Sequence, residues 1–193
     1  MMMKKNKHIQ HIVDFTGRLI AASPLIDKES YFHKSVIYIV QNTPQGTLGI
    51  LINQPITNKE TTFYVKIHEN AEEKSLSLSN IDTYLGGPVD ISKALILHSN
   101  DRETDNDKIE ISSDLQVLQK IVQGKGPKMS LLALGYCSWT PGQLEQEIKD
   151  NHWFVLPSNN QTIFETSNQD KWLSALENFN ISPYNLSLTS GNC

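Results

Sequence analysis

Three short segments of this sequence carry residue types able to act on a ligand. The first is Gly135-Tyr136-Cys137-Ser138-Trp139-Thr140, which reads as the turn from a buried strand into a helix. A helix N-terminus presents unpaired N–H groups and the positive end of the helix dipole, an arrangement that draws anions and lowers thiol pKa values. A Cys137 nucleophile there, with His98 or His33 as its base, would be the minimal apparatus of acyl transfer. The competing reading makes Cys137 a small buried hydrophobe. The second segment is Gly86-Gly87-Pro88. Paired glycines after a strand permit close backbone approach and can form an anion-binding nest. This pair lacks the Lys and Ser/Thr of a P-loop and the spacing of a dinucleotide fingerprint, so a tight corner fixed by Pro88 is the preferred reading.

The third segment, Asn53-Gln54-Pro55, ends a hairpin, where an Asn ordinarily bonds nearby backbone. His98, at a strand end with no visible partner, is a lone acid/base candidate. Tyr136, Trp139 and Trp153 are placed to line a pocket, although aromatics beside a helix start are more often core. A helix cap accounts for Gln143, and a solvated face accounts for Glu145. The six histidines (His8, His11, His33, His68, His98 and His152) have no metal-ligand spacing and no cysteine pair joins them, so neither metal nor cofactor is expected.

The elements that must position these residues follow from pattern. Residues 17–22 form a short apolar strand ended by Ser23-Pro24, after a mobile, partly amphipathic lead-in over 1–16. Residues 35–40 and 48–52 are β-branched and joined by a Pro/Gly-bearing link over 41–46, which predicts a hairpin. Neither strand alternates with polar residues, so both faces are expected to be covered. A short helix is expected from Thr61 or Thr62 to about Asn70. Residues 81–85 lead into the glycine pair, a strand follows over 94–98, and the acidic stretch 101–107 reads as a solvated loop. Ser113 is placed to cap a helix carrying Leu115, Leu118, Ile121 and Val122, closed by Gly124. Residues 129–135 form the clearest strand. Thr140 then reads as an N-cap with Pro141 at N1 and Gln143 at N3, and Trp139 and Leu144 are spaced for a hydrophobic staple. A hairpin over 153–156 and 162–165 and a helix over 170–179, burying Trp172, Leu173 and Leu176, complete the chain.

With 193 residues and 21.8 kDa, the chain fits one domain, 17–193, of mixed α and β class. Its 38% hydrophobic content is ample for a packed core. Seventeen Lys+Arg against twenty-one Asp+Glu give a net charge of −4, which argues against direct DNA binding through bulk charge. The basic start Met1 to Lys7 is followed by residues too polar for a signal-peptide core, and no apolar run approaches a membrane span. Cys137 and Cys193 lie too far apart to resemble a secreted disulfide framework. A cytoplasmic protein with reduced thiols and no membrane partner is expected.

Several of these residues together resemble a known family. Gly17-x-Leu19-Ile20-Ala21, Phe32-x-x-Ser35-Val36, Gly46-x-x-Gly49, Asn53-x-Pro55, Gly86-Gly87-Pro88-Val89 and Leu97-His98 fall in the order of the YqgE/AlgH family. Leu134-Gly135-Tyr136-x-x-Trp139-x-x-Gly142-Gln143-Leu144-Glu145-x-Glu147-Ile148 and Asn151-x-Trp153 close the pattern. The resemblance spans about Gly17 to Leu188. It implies an α+β fold with a bent mixed β-sheet partly closing into a small barrel among helices, in a bacterial cytosolic protein of undefined biochemistry, with a transcriptional-regulator label in one member. This chain departs from the family pattern at Cys137-Ser138, where Ala-Gly is usual, at Asp27-Lys28, where Asp-Pro is usual, and at its Gly191-Asn192-Cys193 close. An Ala at the position of Cys137 in relatives implies that the thiol is no family nucleophile.

The functional expectation is a non-catalytic binding module. Gly86, Gly87, Pro88, His98, Tyr136, Cys137, Ser138, Trp139 and Asn53 would serve a hollow for a small molecule or protein partner. The alternatives are a transcriptional regulator acting through a protein partner, or a hydrolase or transferase.

Overall fold

The computed structural model describes residues 13–56, 64–69, 72–78, 81–100 and 108–182. A seven-strand path runs β10 (Trp153–Leu156), β1 (Leu19–Ala22), β2 (Val36–Thr43), β3 (Gly46–Leu51), β9 (Ser130–Trp139), β7 (Val89–Ser99) and β8 (Ile109–Ser112). Every neighbouring pair on this path is antiparallel; β6 (Thr83–Leu85) joins β9 in parallel, which makes the sheet mixed. A separate hairpin pairs β4 (Tyr64–Glu69) with β5 (Glu72–Ser77). The path is open: β10 and β8 are its two ends and do not pair with each other, so the expected closure into a small barrel is not formed. Three short helices accompany the sheet among the described residues: α1 (Leu115–Val122), α2 (Gln143–Lys149) and α3 (Lys171–Glu177).

The uniformly apolar strands are explained by burial on both sides. Side chains alternate across a strand. Leu19, Ala21, Val36, Tyr38, Ile50 and Ile52 therefore enter one core with Trp172, Ala175 and Leu176 of α3. Their neighbours Ile20, Ala22, Ile37, Ile39 and Leu51 enter another with Cys137, Trp139, Leu144 and Trp153. Phe15 is buried in this second core, and Thr16 Oγ1 accepts the Asn42 N–H; residues 1–12 of the lead-in lie outside the described residues. A third cluster sets Leu118 of α1 on Ile96 and Leu132.

Several local expectations change. Strands β2 and β3 extend to Thr43 and Gly46, leaving only Pro44 and Gln45 between them. The helix expected near 61–70 is instead β4 from Tyr64, and the spacing Phe63-x-Val65-x-Ile67 in fact has the period of a strand. The loop 101–107 lies outside the described residues. Asp114, not Ser113, caps α1, its carboxylate accepting the Gln116 N–H at 2.8 Å. Residues 162–165 are no strand. They form a π-helical turn, Gln161–Glu165, because β10 pairs with β1 and Asn159 Oδ1 accepts the Thr162 N–H. The α3 helix stands where expected, with Trp172 and Leu176 buried and Leu173 half-buried.

Strand β9 holds the architecture together. Its residues Leu132 to Leu134 pair with β6, whereas Cys137 to Trp139 pair with β3. Gly135, at φ +76°, lies where the partner changes. A Cβ there would stand 2.7 Å from the Gly87 carbonyl oxygen, so the close crossing of the two segments requires glycine.

Candidate functional site

The sequence reading placed Cys137 at a helix start, but β9 continues through Trp139 and α2 begins only at Gln143, with Gly142 as N-cap. Thr140 is not the N-cap; Pro141 and Gly142 form a turn instead. One half of the expected capping box survives, since the Thr140 N–H donates to Gln143 Oε1 at 3.0 Å. The staple residues Trp139 and Leu144 are both buried in one core. Cys137 is accordingly a strand residue facing that core. Burial pushes its thiol up to about 12, and the Sγ points at the Gly86 carbonyl, 3.6 Å away. A thiol so held is the opposite of the low-pKa nucleophile that a helix N-terminus would make.

The two glycine-bearing segments do meet. Gly86 donates its N–H to the Leu134 carbonyl and accepts the Leu51 N–H, bridging β9 and β3. A Cβ on Gly86 would strike the Gly135 carbonyl, and one on Gly87 would strike Tyr136. Both glycines are buried against backbone, leaving no open nest at their own positions.

Just beyond this crossing the surface opens into a cleft of about 440 Å³. Pro88 and Val89, Cys137, Ser138 and Trp139 of β9, and Leu25, Ile26, Asp27, Ser30 and Phe32 line it. Gln143 and Glu147 of α2, with His152 and Trp153, complete it. The rings are ordered in a chain: Trp139 and Trp153 are edge-on at 6.1 Å, Phe32 and Trp153 at 5.6 Å, and Tyr31 and Phe32 at 5.1 Å. Glu147 anchors them. Its Oε2 accepts both indole N–H groups, from Trp139 at 2.8 Å and Trp153 at 2.7 Å, while Oε1 accepts the Gln143 amide at 3.0 Å.

Of the residues singled out in the sequence, Pro88, Cys137, Ser138 and Trp139 line this cleft. Gly86 and Gly87 lie beneath it. Tyr136 is half-buried and holds Lys93 Nζ 5.8 Å from its ring centre, away from the lining. Asn53 is a clamp on the hairpin, accepting the Val36 N–H at 2.9 Å and donating to the Lys34 carbonyl at 2.9 Å. His98 is buried at a second hollow, beside Ser99, Lys120 and Lys125, with Nδ1 3.0 Å from the Ser99 carbonyl. Glu147 escaped the list of candidate site residues, as did the loop residues Leu25, Ile26 and Phe32. The i, i+4 spacing of Gln143 and Glu147 between two tryptophans was the available signal.

A buried lysine also went unforeseen. Lys171 is 1% exposed and donates to the Ile52 and Ile163 carbonyls at 2.9 Å each, 5.5 Å from the Tyr84 ring centre. Burial lowers its ammonium to about 8, with Asp82 opposing. Among the described residues, no group of three or more His, Cys, Asp or Glu side chains is arranged to hold a metal ion. Among them, too, no helix is long and apolar enough to cross a membrane.

An open mixed sheet with both faces covered, crossed at two glycine segments beside an aromatic cleft, defines an AlgH-like fold. The AlgH-like family model matches residues 19–184, and the chain belongs to that family, also called YqgE/AlgH. It is 33% identical to UPF0301 proteins of Rickettsia typhi and Rickettsia prowazekii over 184 residues, covering 93% of this chain and 96% of each relative. The solution structure of AlgH from Pseudomonas aeruginosa matches with a TM-score of 0.66 at 25% identity, over 99% of this chain and 100% of that one. A crystal structure of a Corynebacterium diphtheriae protein shares the fold, with a TM-score of 0.62 at 19% identity over 84% and 85% of the two chains.

Proposed function

We propose that this protein is a non-catalytic, cytoplasmic binding module whose ligand occupies the cleft between the Leu25–Phe32 loop, Pro88 and the Trp139–Trp153 pair. The supporting observation is the cleft itself: Pro88 and Val89, which follow the glycine pair, and the strand that carries Cys137 line one shared hollow of about 440 Å³, within the usual range for small-molecule sites. Eight of its fourteen lining residues are apolar or aromatic, and Asp27, Ser30, Ser138, Gln143, Glu147 and His152 supply polar groups, a mixture suited to recognition. A hydrolase or transferase reading built on Cys137 is disfavoured by a thiol held near 12 with a carbonyl as its partner.

Titration of the isotope-labelled protein with metabolite pools tests this reading. Shifts confined to Phe32, Ser138, Trp139 and Trp153 support it; shifts confined to the His98 hollow, or none, refute it. A second reading, regulation of transcription through a protein partner, draws on exposed apolar side chains beside the cleft, Leu25 and Val89. The net charge of −4 favours a protein partner over DNA. A gel shift with duplex DNA that weakens steeply with salt would overturn that preference.

A further inference from the structure

The cleft also carries information about the charge of its ligand, an inference that rests on the cleft being the binding site. Trp139 and Trp153 direct their only polar atoms, the indole N–H groups, into Glu147. What these two largely buried rings add to the lining is carbon, and Phe32 adds a third ring. Donating a hydrogen bond to a carboxylate makes an indole more electron-rich, which increases its attraction for a cation. Two carboxylates line the cleft, Asp27 and Glu147, together with the imidazole of His152, and no Lys or Arg is among the lining residues. The Glu147 carboxylate accepts three hydrogen bonds, and Asp27 is exposed. Low-dielectric walls concentrate the field of such charges inside a cleft. An anion would meet that field unfavourably, and a neutral apolar molecule would gain only from burial.

We infer that the cleft binds a small organic cation, an ammonium or guanidinium head on an apolar body, with the head among the Phe32, Trp139 and Trp153 rings and facing the Asp27 and Glu147 carboxylates. Three probes sharing one phenylethyl body and differing in charge test this: 2-phenylethylammonium, 2-phenylethanol and 3-phenylpropionate. Each is titrated into the full-length labelled protein at neutral pH, following the indole N–H resonances of Trp139 and Trp153. The ammonium probe should shift both in a saturable way, at least ten-fold tighter than the alcohol, and the propionate should leave them in place. Asp27→Asn, whose amide oxygen can still accept the Glu29 N–H, should weaken the ammonium three-fold or more and leave the alcohol unchanged. Equal binding of alcohol and ammonium, or preference for the propionate, overturns the charge assignment while leaving the cleft as the ligand site. Silence from all three probes overturns it as well, and the metabolite titration then judges the cleft separately.

Discussion

Trp139, on the last position of β9, and Trp153, on the first position of β10, donate their indole N–H groups to one and the same oxygen of Glu147, at 2.8 and 2.7 Å. Strands at different places in the sheet are thereby tied to α2 through a single carboxylate. The edge-on packing of the two rings at 6.1 Å follows from that shared acceptor. The two tryptophans of the family resemblance, with Gln143 and Glu147 between them, are thus one hydrogen-bonded cluster that lines the cleft.

Removing the acceptor should loosen that cluster. Glu147→Ala leaves two indole donors inside the packed region without a partner, and each such loss costs about 1–3 kcal/mol. A loss of about 3 kcal/mol in urea unfolding is expected, with red-shifted tryptophan emission of the folded protein. An unchanged urea midpoint would mean that the acceptor does not hold the cluster together.

The glycine crossing makes a contrasting prediction. Gly87→Ala drives a Cβ into the Tyr136 backbone, which cannot retreat without breaking the β9 ladder. It should cost more than about 3 kcal/mol or abolish folding. Gly124→Ala meets nothing within 4 Å and bears only the strain of φ +69°, about 1 kcal/mol. Thermal melts of the two variants should therefore differ widely; similar melting temperatures would contradict the crossing.

Much of this fold could be read from local pattern. The β1–β3 strands were visible because both faces are buried and their residues are uniformly apolar, and α3 because Trp172 and Leu176 recur at helical spacing. What escaped was decided at long range. Strand β9 runs past Gly135 because β3 offers it a second partner, a fact absent from residues 135–140 themselves. For the same reason Cys137 looked like a helix-start thiol and is a core residue. Pro88, Cys137, Ser138 and Trp139 line one hollow, and the loop residues Leu25 to Phe32 join them there, a closeness that only tertiary structure reveals. His98 and Asn53 were chosen by residue type alone, and each is engaged elsewhere.

Cys137 offers a direct chemical check. Its thiol is 1% exposed and its pKa is pushed up to about 12 by burial, so almost no thiolate exists at neutral pH. In a Cys193→Ser background, iodoacetamide should label the native protein at least a hundred-fold more slowly than the urea-unfolded protein. Cys137→Ala, which preserves a small apolar side chain, should cost no more than about 1 kcal/mol. Rapid selective labelling of the native protein would restore Cys137 as a candidate nucleophile.

Two buried groups, Lys171 and Cys137, set the shape of stability against pH. Lys171 ionises at about 8 in the folded chain against 10.5 as the ordinary value, so between those limits the unfolded chain binds a proton that the folded one has released. Stability therefore rises with pH over that window. Cys137 acts in the reverse sense. Its ordinary value is 9.0 and its folded value about 12, so between them the folded chain keeps a proton that the unfolded one has lost, and stability falls. Their sum is a rise from pH 8 to 9, near balance up to 10.5, and a fall above it. Burial that raises the Tyr38 and Tyr84 phenols steepens that fall. Each full proton corresponds to a slope of about 1.4 kcal/mol per pH unit. Urea midpoints measured from pH 7 to 11 should trace this profile. Lys171→Met should remove the rise between pH 8 and 9, and Cys137→Ala should soften the descent; a rising limb that persists without Lys171 would assign it to another group.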